Sequence, residues 1–271
     1  TLFPYTTLFR SGCVEADVAA HARAALADGV SRRLVYGSGS PWPDIRLLCG
    51  ARIEMLVEPL AADDPAAGTL VALRAARRTA GWTTDGDARS CVAVPSNDVR
   101  LSIGLEEAPF RVRLTLPPQR RMVVVGADPT ALAVTQLALA MGYETHLVRP
   151  RGPLAPPPGL AAHYWRGEAG VVLAEIGLDP WTFVAVATHD TEIDEAALAA
   201  ALPSAAPYVG VLGARRRLPE RIARLGMLGI LPRDLARLRG PIGLDLGGKS
   251  PYEIAVAVMA EATAVSHGRD G

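Results

Sequence analysis

Lysine is almost missing from this chain: of 28 basic residues, all but Lys249 are arginine. Cysteine is scarce too, and Cys13, Cys49 and Cys91 are too few and too scattered for a disulfide framework. A reducing, cytoplasmic setting is therefore expected. Net charge is absent, with 28 basic against 28 acidic residues, which removes any general attraction to nucleic acid or anionic membrane. No apolar run approaches the roughly 20 residues that span a bilayer. Aromatics make up only 5% and internal repeats are lacking. What is present is 49% hydrophobic and 21% charged residues over 271 positions. That composition argues against disorder and supplies core for one large or two ordinary domains.

The excess of arginine and alanine points to a GC-rich coding sequence, and the first eleven residues depart from it. Residues 1–11, Thr-Leu-Phe-Pro-Tyr-Thr-Thr-Leu-Phe-Arg-Ser, read codon for codon like a common short-read sequencing adapter. They are expected to be adapter-derived and are set aside from fold reasoning. On that reading Gly12 is the first residue of the natural protein in hand, and a preceding piece is missing.

Patterning predicts a helix over 14–27, short strands over 33–36, 45–49 and 52–57, and a hairpin turn at Gly50-Ala51. A helix is expected over 70–79, then strands near 91–94, 99–103 and 111–116. Pro117-Pro118 marks a domain boundary. Beyond it the period changes. Residues 122–125 form a β-branched run suited to a strand buried on both faces. Helices over 130–141, 195–202, 218–225 and 252–264 alternate with strands over 145–148, 182–188, 208–212 and 242–244. Residues 149–159 are a loop holding five prolines. The expected fold class is α/β: a C-terminal Rossmann-like, doubly wound parallel sheet (119–268) preceded by a smaller, truncated α+β domain (12–116).

In such a sheet ligands sit beyond the carboxyl ends of the strands, which selects four loops. Gly126-Ala127-Asp128-Pro129-Thr130 stands where a dinucleotide fingerprint would stand. Asp128, however, replaces the glycine that lets backbone approach a pyrophosphate, and either Asp128 or Thr130 also reads as a helix cap. The next strand ends at Arg149, with Arg151 nearby, where a ribose-binding acid is usual; arginine suits phosphate better. Thr188-His189-Asp190 puts a hydroxyl, an imidazole and a carboxylate in series at a strand end. The other histidines are scattered along the chain, so no metal site is expected. The fourth loop is Gly243-Leu244-Asp245-Leu246-Gly247-Gly248-Lys249. It runs into Ser250-Pro251-Tyr252-Glu253, a capping box, and reads either as an anion site or as a tight turn. Arg215 follows Gly213-Ala214 at another strand-to-helix junction and is placed to touch a phosphate. Arg216, Arg217, Arg221, Arg224, Arg233, Arg237 and Arg239 are expected to form a solvated face.

Taken together these stretches resemble the XdhC/CoxI family, accessory proteins of molybdenum hydroxylases such as xanthine dehydrogenase and carbon monoxide dehydrogenase. Gly12-Cys13-Val14-Glu15 is similar to the end of the family's Gly-Gly-Cys-Val-Glu motif. Leu48-Cys49-Gly50 with Ile53-Glu54 and Val57-Glu58-Pro59 resembles its Cys-Gly-Gly hairpin. The C-terminal stretches are Thr188-His189-Asp190 with Asp194, residues 208–216, and Pro241-Ile242-Gly243-Leu244-Asp245 with Ser250-Pro251-Tyr252-Glu253. They match the family's order and spacing.

The resemblance implies a chaperone, without turnover chemistry of its own, that binds molybdenum cofactor (molybdopterin). It would protect the cofactor during sulfuration and deliver it to an apo molybdenum hydroxylase. A cysteine desulfurase-type sulfur donor and a homodimer are further partners in that picture, while nucleic acid and membrane are not. Cys13 and Glu15 would belong to the cofactor-binding set, Cys13 as a soft ligand or sulfur relay; a free cysteine is equally often a small buried hydrophobe. Gly126, Ala127, Asp128, Thr130, Arg149, Thr188, His189, Asp190, Gly213, Arg215, Asp245, Gly247, Gly248 and Lys249 complete that set. Where the family has Gly-Ala-Gly, this chain has Gly126-Ala127-Asp128, and Arg149 stands near the family's acidic position. Both departures weigh against NAD(P). The alternative functions are an NAD(P)-dependent oxidoreductase and a nucleotide-binding regulatory protein.

Overall fold

The computed structural model describes residues 13–38, 52–95 and 100–269, and of Cys13 the backbone alone. The chain forms two units, Thr1–Val94 with Ser102–Leu116 and Pro95–Leu101 with Pro117–Gly271.

In the first unit α1 (Cys13–Asp28) is followed by the antiparallel pair β1 (Arg32–Gly37) and β2 (Arg52–Val57). The expected strand 45–49 and the turn at Gly50-Ala51 lie outside the described residues. Next come α2 (Pro65–Ala75), β3 (Ala80–Thr84), β4 (Arg89–Ala93), β5 (Ser102–Glu107) and β6 (Phe110–Leu116). The four strands make an antiparallel sheet in the order β4-β3-β6-β5. Helix α2 begins at Pro65, not at residue 70, because Asp64 caps it by accepting from the Ala67 amide at 3.0 Å. It ends at Ala75, just ahead of Arg77 with φ +50°. Strand β3 has no counterpart among the sequence-based expectations: Ala80-Gly81 dilutes its pattern, yet its residues alternate buried and half-buried. Leu73 of α2 packs with Ala80, Trp82 and Cys91 to form this unit's core. Burial pushes the Cys91 thiol above its usual pKa.

The second unit is built on β7 (Arg121–Val125), buried at every position. It continues with α3 (Pro129–Ala140), β8 (Glu144–Val148), β9 (His163–Trp165), α4 (Ala169–Ile176), β10 (Thr182–Val186) and α5 (Thr191–Ala201). After β11 (Tyr208–Val211) a 3-10 turn, Arg215–Arg217, leads into α6 (Leu218–Met227), α7 (Pro232–Leu235), β12 (Leu238–Arg239) and α8 (Pro251–Ser266). The sheet is parallel throughout in the order β12-β11-β10-β7-β8-β9. Numbered within the unit this is 6-5-4-1-2-3, the doubly wound dinucleotide-fold order. The sixth strand is Leu238–Arg239, so the strand expected at 242–244 is displaced; Ile242 and Gly243 instead enter the loop before α8.

Alternation along β7 sets the two faces. Met122 and Val124 meet α3 and α8 through Ala133, Ala138, Ala255 and Val258. Val123 and Val125 meet α4, α5 and α6 through Val172, Leu198 and Leu225. A sheet covered on both faces needs apolar side chains on both, which explains the near-continuous apolar runs 122–125 and 183–186.

Candidate functional site

Strand register assembles the site. Val148, Val125, Val186 and Val211 stand side by side across four strands, so the loops after β7, β8, β10 and β11 begin at one level. The sheet order reverses between β7 and β10, and a crevice of about 360 Å³ opens there. It gathers Gly126, Ala127, Asp128, Arg149, Thr188, His189 and Asp190, seven residues taken from three separated loops. Thr130 is buried in the first turn of α3 beside it. A side chain at position 126 would collide with the Ala187 carbonyl oxygen of β10's loop; glycine is what lets the two strand ends close.

Most charges of this crevice are committed to one another, and Arg149 is the exception. Asp128 caps α3, accepting from the Ala131 amide at 2.8 Å, and faces His189 Nε2 at 3.2 Å. Asp190 caps α5, accepting from the Glu192 and Ile193 amides, and takes a hydrogen bond from Arg151, which also pairs with Glu192. Arg149 donates through Nη2 to the Ala127 carbonyl at 3.3 Å, while its Nε is buried without a partner among the described residues. Thr188 donates to Asp194 at 2.6 Å, and Asp194 is paired with Arg221 at 2.7 Å. Burial raises the Asp194 pKa despite that pairing. A dinucleotide pyrophosphate at the start of α3 would meet the Asp128 carboxylate, and no acid follows β8 to hold a ribose. The residues present do not fit NAD in the usual mode.

Arg221 is thus buried and ion-paired, not part of a solvated face. Arg224 pairs with Glu195 and Glu220, and Arg237 closes the Leu202, Ser204 and Ala206 carbonyls. The expected arginine face is largely a set of tertiary clamps, because guanidinium forks satisfy several buried acceptors at once.

A larger cleft, about 960 Å³, runs beside β12 and the loop before α8. Arg215, Asp245, Gly247 and Gly248 line it; Gly213 borders a small neighbouring hollow, and Lys249 is exposed on the same loop. The capping box is formed as the sequence predicts, but it engages the start of α8. Glu253 Oε2 accepts from the Lys249 and Ser250 amides at 3.0 and 2.9 Å. An anion seated directly on those amides would displace a carboxylate. Gly243 is required where it stands, since a Cβ would come within 2.9 Å of the α8 backbone at Ala257 and Val258. On the cleft wall Glu261 accepts from Tyr208 Oη at 2.7 Å and the Gly243 amide at 2.8 Å, and it faces Arg239 Nη1 at 3.4 Å. Burial, then Glu261, keeps Tyr208 protonated by raising its pKa well above the usual value.

Two features lay beyond the sequence reading. The first is Glu144, His146 and His163, whose ligand-type atoms all lie within 4.8 Å of one another. The parallel register pairs His146 with His163, so histidines distant in sequence become neighbours. Trp165 Nε1 donates to His146 Nδ1 at 2.9 Å. His146 Nε2 therefore carries the proton and donates to Glu144 at 3.0 Å, where Arg121 also arrives. A metal would need the lone pair this tautomer lacks, so the group is a closed hydrogen-bond chain. The second is a hollow of about 320 Å³ in the first unit, lined by Met55, Leu56, Trp82, Ile103, Phe110 and Leu114 among others. Arg33 closes it, over Phe110 at 4.9 Å and paired with Glu54 and Glu107. Of the expected N-terminal pair, Glu15 is exposed on α1 and the Cys13 side chain lies outside the described residues.

Comparison with known proteins decides the family. A profile described as the XdhC Rossmann domain matches residues 122–262, more than half of the chain. The chain belongs to the XdhC family. It is 29% identical over 263 residues to the molybdenum cofactor insertion chaperone PaoD of Escherichia coli K12, covering 96% of this chain and 74% of that protein. It is 27% identical over 158 residues to the uncharacterized YqeB of the same organism, covering 56% of this chain but 28% of YqeB. Among solved structures, that of a xanthine dehydrogenase (BH1974) from Bacillus halodurans superposes with a TM-score of 0.68 at 21% identity, over 96% of this chain and 82% of that one. This likeness establishes the fold across both units.

Proposed function

We infer that this XdhC-family chain is a maturation factor that binds molybdenum cofactor and hands it to an apo molybdenum hydroxylase. The observation that carries the reading is the match to PaoD, a molybdenum cofactor insertion chaperone, which extends over 96% of the chain. The geometry supports it from the other side: the dinucleotide crevice has carboxylates at both helix N-termini it contains, which disfavours a hydride-transfer enzyme using NAD(P). In this reading 12–116 is the family's N-terminal domain and 119–268 its Rossmann domain. Cys13 serves as a soft ligand or sulfur relay, a cysteine desulfurase-type protein supplies sulfur, and the work is done in the cytoplasm, with a homodimer as the assembled form.

The test is cofactor content. Purified anaerobically under reducing conditions from cells making the cofactor, the chain should carry pterin and molybdenum in near-equal amounts, and should restore activity to an apo-hydroxylase. Absence of both pterin and molybdenum, with no restoration, overturns the reading. NADPH titrated to millimolar concentration is expected to give no saturable binding.

A further inference from the structure

The cleft beside β12 differs from its surroundings in which of its charges remain uncommitted. Six charged side chains line it: Arg215, Arg237, Arg239, Asp245, Glu253 and Glu261. Arg237 is held by three carbonyls, Arg239 faces Glu261, and Glu253 closes the capping box. Glu261 is held by Tyr208 and the Gly243 amide. Arg215 and Asp245 make no side-chain hydrogen bond or ion pair among the described residues.

Both stand on anchored backbone. Asp245 is the apex of a tight turn in which the Leu246 amide donates to the Leu244 carbonyl at 2.9 Å. The turn is tied to α8 by the Leu244 amide on Ala257 at 3.2 Å. Arg215 opens the 3-10 turn after β11, closed by the Arg217 amide on Ala214 at 2.9 Å. The cleft thus offers one uncommitted carboxylate, one uncommitted guanidinium and, in the same lining, the apolar residues Leu212, Leu244 and Ile254. Its volume lies in the range of sites for drug-sized and cofactor-sized ligands.

We propose that this cleft, not the dinucleotide crevice, holds a phosphorylated pterin, with Asp245 accepting from its 2-amino-4-oxopyrimidine edge and Arg215 binding its phosphate. A carboxylate takes two parallel hydrogen bonds from an amino group and the adjacent ring N–H. A guanidinium matches the oxygens of a phosphate in the same bidentate manner. The proposal rests on the reading of the chain as a cofactor-binding maturation factor and assigns the place of binding within it. Guanine nucleotides carry the same edge and a phosphate, so the test must separate the two.

The full chain is titrated with neopterin monophosphate, with unphosphorylated neopterin and with GMP. Pterin fluorescence follows the first two, and calorimetry follows all three. Asp245→Asn should weaken both pterins about ten-fold or more. Arg215→Ala should weaken the phosphorylated pterin to a similar extent and leave neopterin within about two-fold, each being the loss of a charge-assisted contact. Arg233→Ala, an exposed arginine outside the cleft, should change neither. GMP binding tighter than the pterin phosphate overturns the ligand assignment.

Cofactor content of the same variants separates the two readings. If the wild type carries cofactor and both variants carry as much, the cleft assignment falls and the function stands. If the wild type carries none yet binds the pterin phosphate in a manner dependent on Arg215 and Asp245, the function falls and the cleft stands. Binding of no probe and no cofactor removes both.

Discussion

The two openings on the Rossmann unit, one beyond the carboxyl ends of β7, β8 and β10 and one running along the edge strand β12, handle charge differently. Around the β7–β10 crevice, Asp128 and Asp190 cap helices, Arg151 leans on Asp190, and Thr188, Asp194 and Arg221 form a chain beneath. Beside β12, the capping box and the Glu261 cluster absorb most charges but leave Arg215 and Asp245 without a side-chain partner among the described residues. On the proposal made for the β12 cleft, the place where a fold customarily binds its ligand is a poor guide to where this chain would bind one. A carboxylate in place of one loop glycine is enough to turn a phosphate cradle into a helix cap.

The largest effect expected comes from opening the crevice's internal network. Arg221→Ala would leave Asp194 buried, at 2% exposure, without its countercharge, and breaking such a pair costs about 3–5 kcal/mol. Urea unfolding checks this, and the Asp194→Ala, Arg221→Ala double variant should recover part of the loss because no unpaired carboxylate remains. Full stability in Arg221→Ala would mean that the crevice is not self-supporting. Gly126→Ala comes next. Its Cβ would press on the Ala187 carbonyl, and forcing atoms into a packed site costs about 1–3 kcal/mol, read as a lowered Tm. Ligand binding in the β12 cleft should survive this substitution, which sharpens the separation of the two openings.

Much of the Rossmann unit was legible because its sheet is buried on both faces and several of its helices start on side-chain caps: Asp128-Pro129 and Ser250-Pro251 announce α3 and α8. What stayed hidden has physical causes. Strand β9, His163-Tyr164-Trp165, is three residues long, too short for any period to register. Strand β12 is two residues long and gained its place from the register with β11 rather than from its own sequence. The His146–His163 stack depends on parallel pairing, which no spacing along the chain reveals. Arg221 looked like one more exposed arginine because its partner Asp194 lies on another helix. The separation of the site residues into two openings was invisible for the same reason: Arg149 and Arg215 read alike in sequence, and only the packing tells which is engaged.

A smaller effect is expected on the cleft side. Ser250→Ala removes the hydroxyl that caps α8 and should cost about 1 kcal/mol, measured by thermal or urea unfolding. Since Glu253 continues to hold the Lys249 and Ser250 amides, pterin affinity should move by less than two-fold. A large loss would show that the capped turn itself touches the ligand.

The shallowest signal is a pH dependence seated toward the amino ends of β7 and β8, away from the crevice. Burial holds His146 below its ordinary pKa of 6.5, outweighing the opposing influence of Glu144. Arg121 and His163 face it with the same sign, and Trp165 donates to its Nδ1. Because the folded state disfavours the imidazolium, the unfolded chain binds more protons between the lowered pKa and 6.5, so stability rises with pH in that window. The contribution is complete above about pH 6.5 and is lost as the pH falls through the folded value. Asp194, with a raised pKa, acts with the opposite sign. Its window begins at the ordinary carboxylate value of 3.8, so it opposes the histidine toward the acid end. Unfolding free energies at half-unit steps from pH 7.5 to 5 should decline for the wild type. In His146→Gln the decline should flatten; a slope unchanged by the substitution would place its origin in another group.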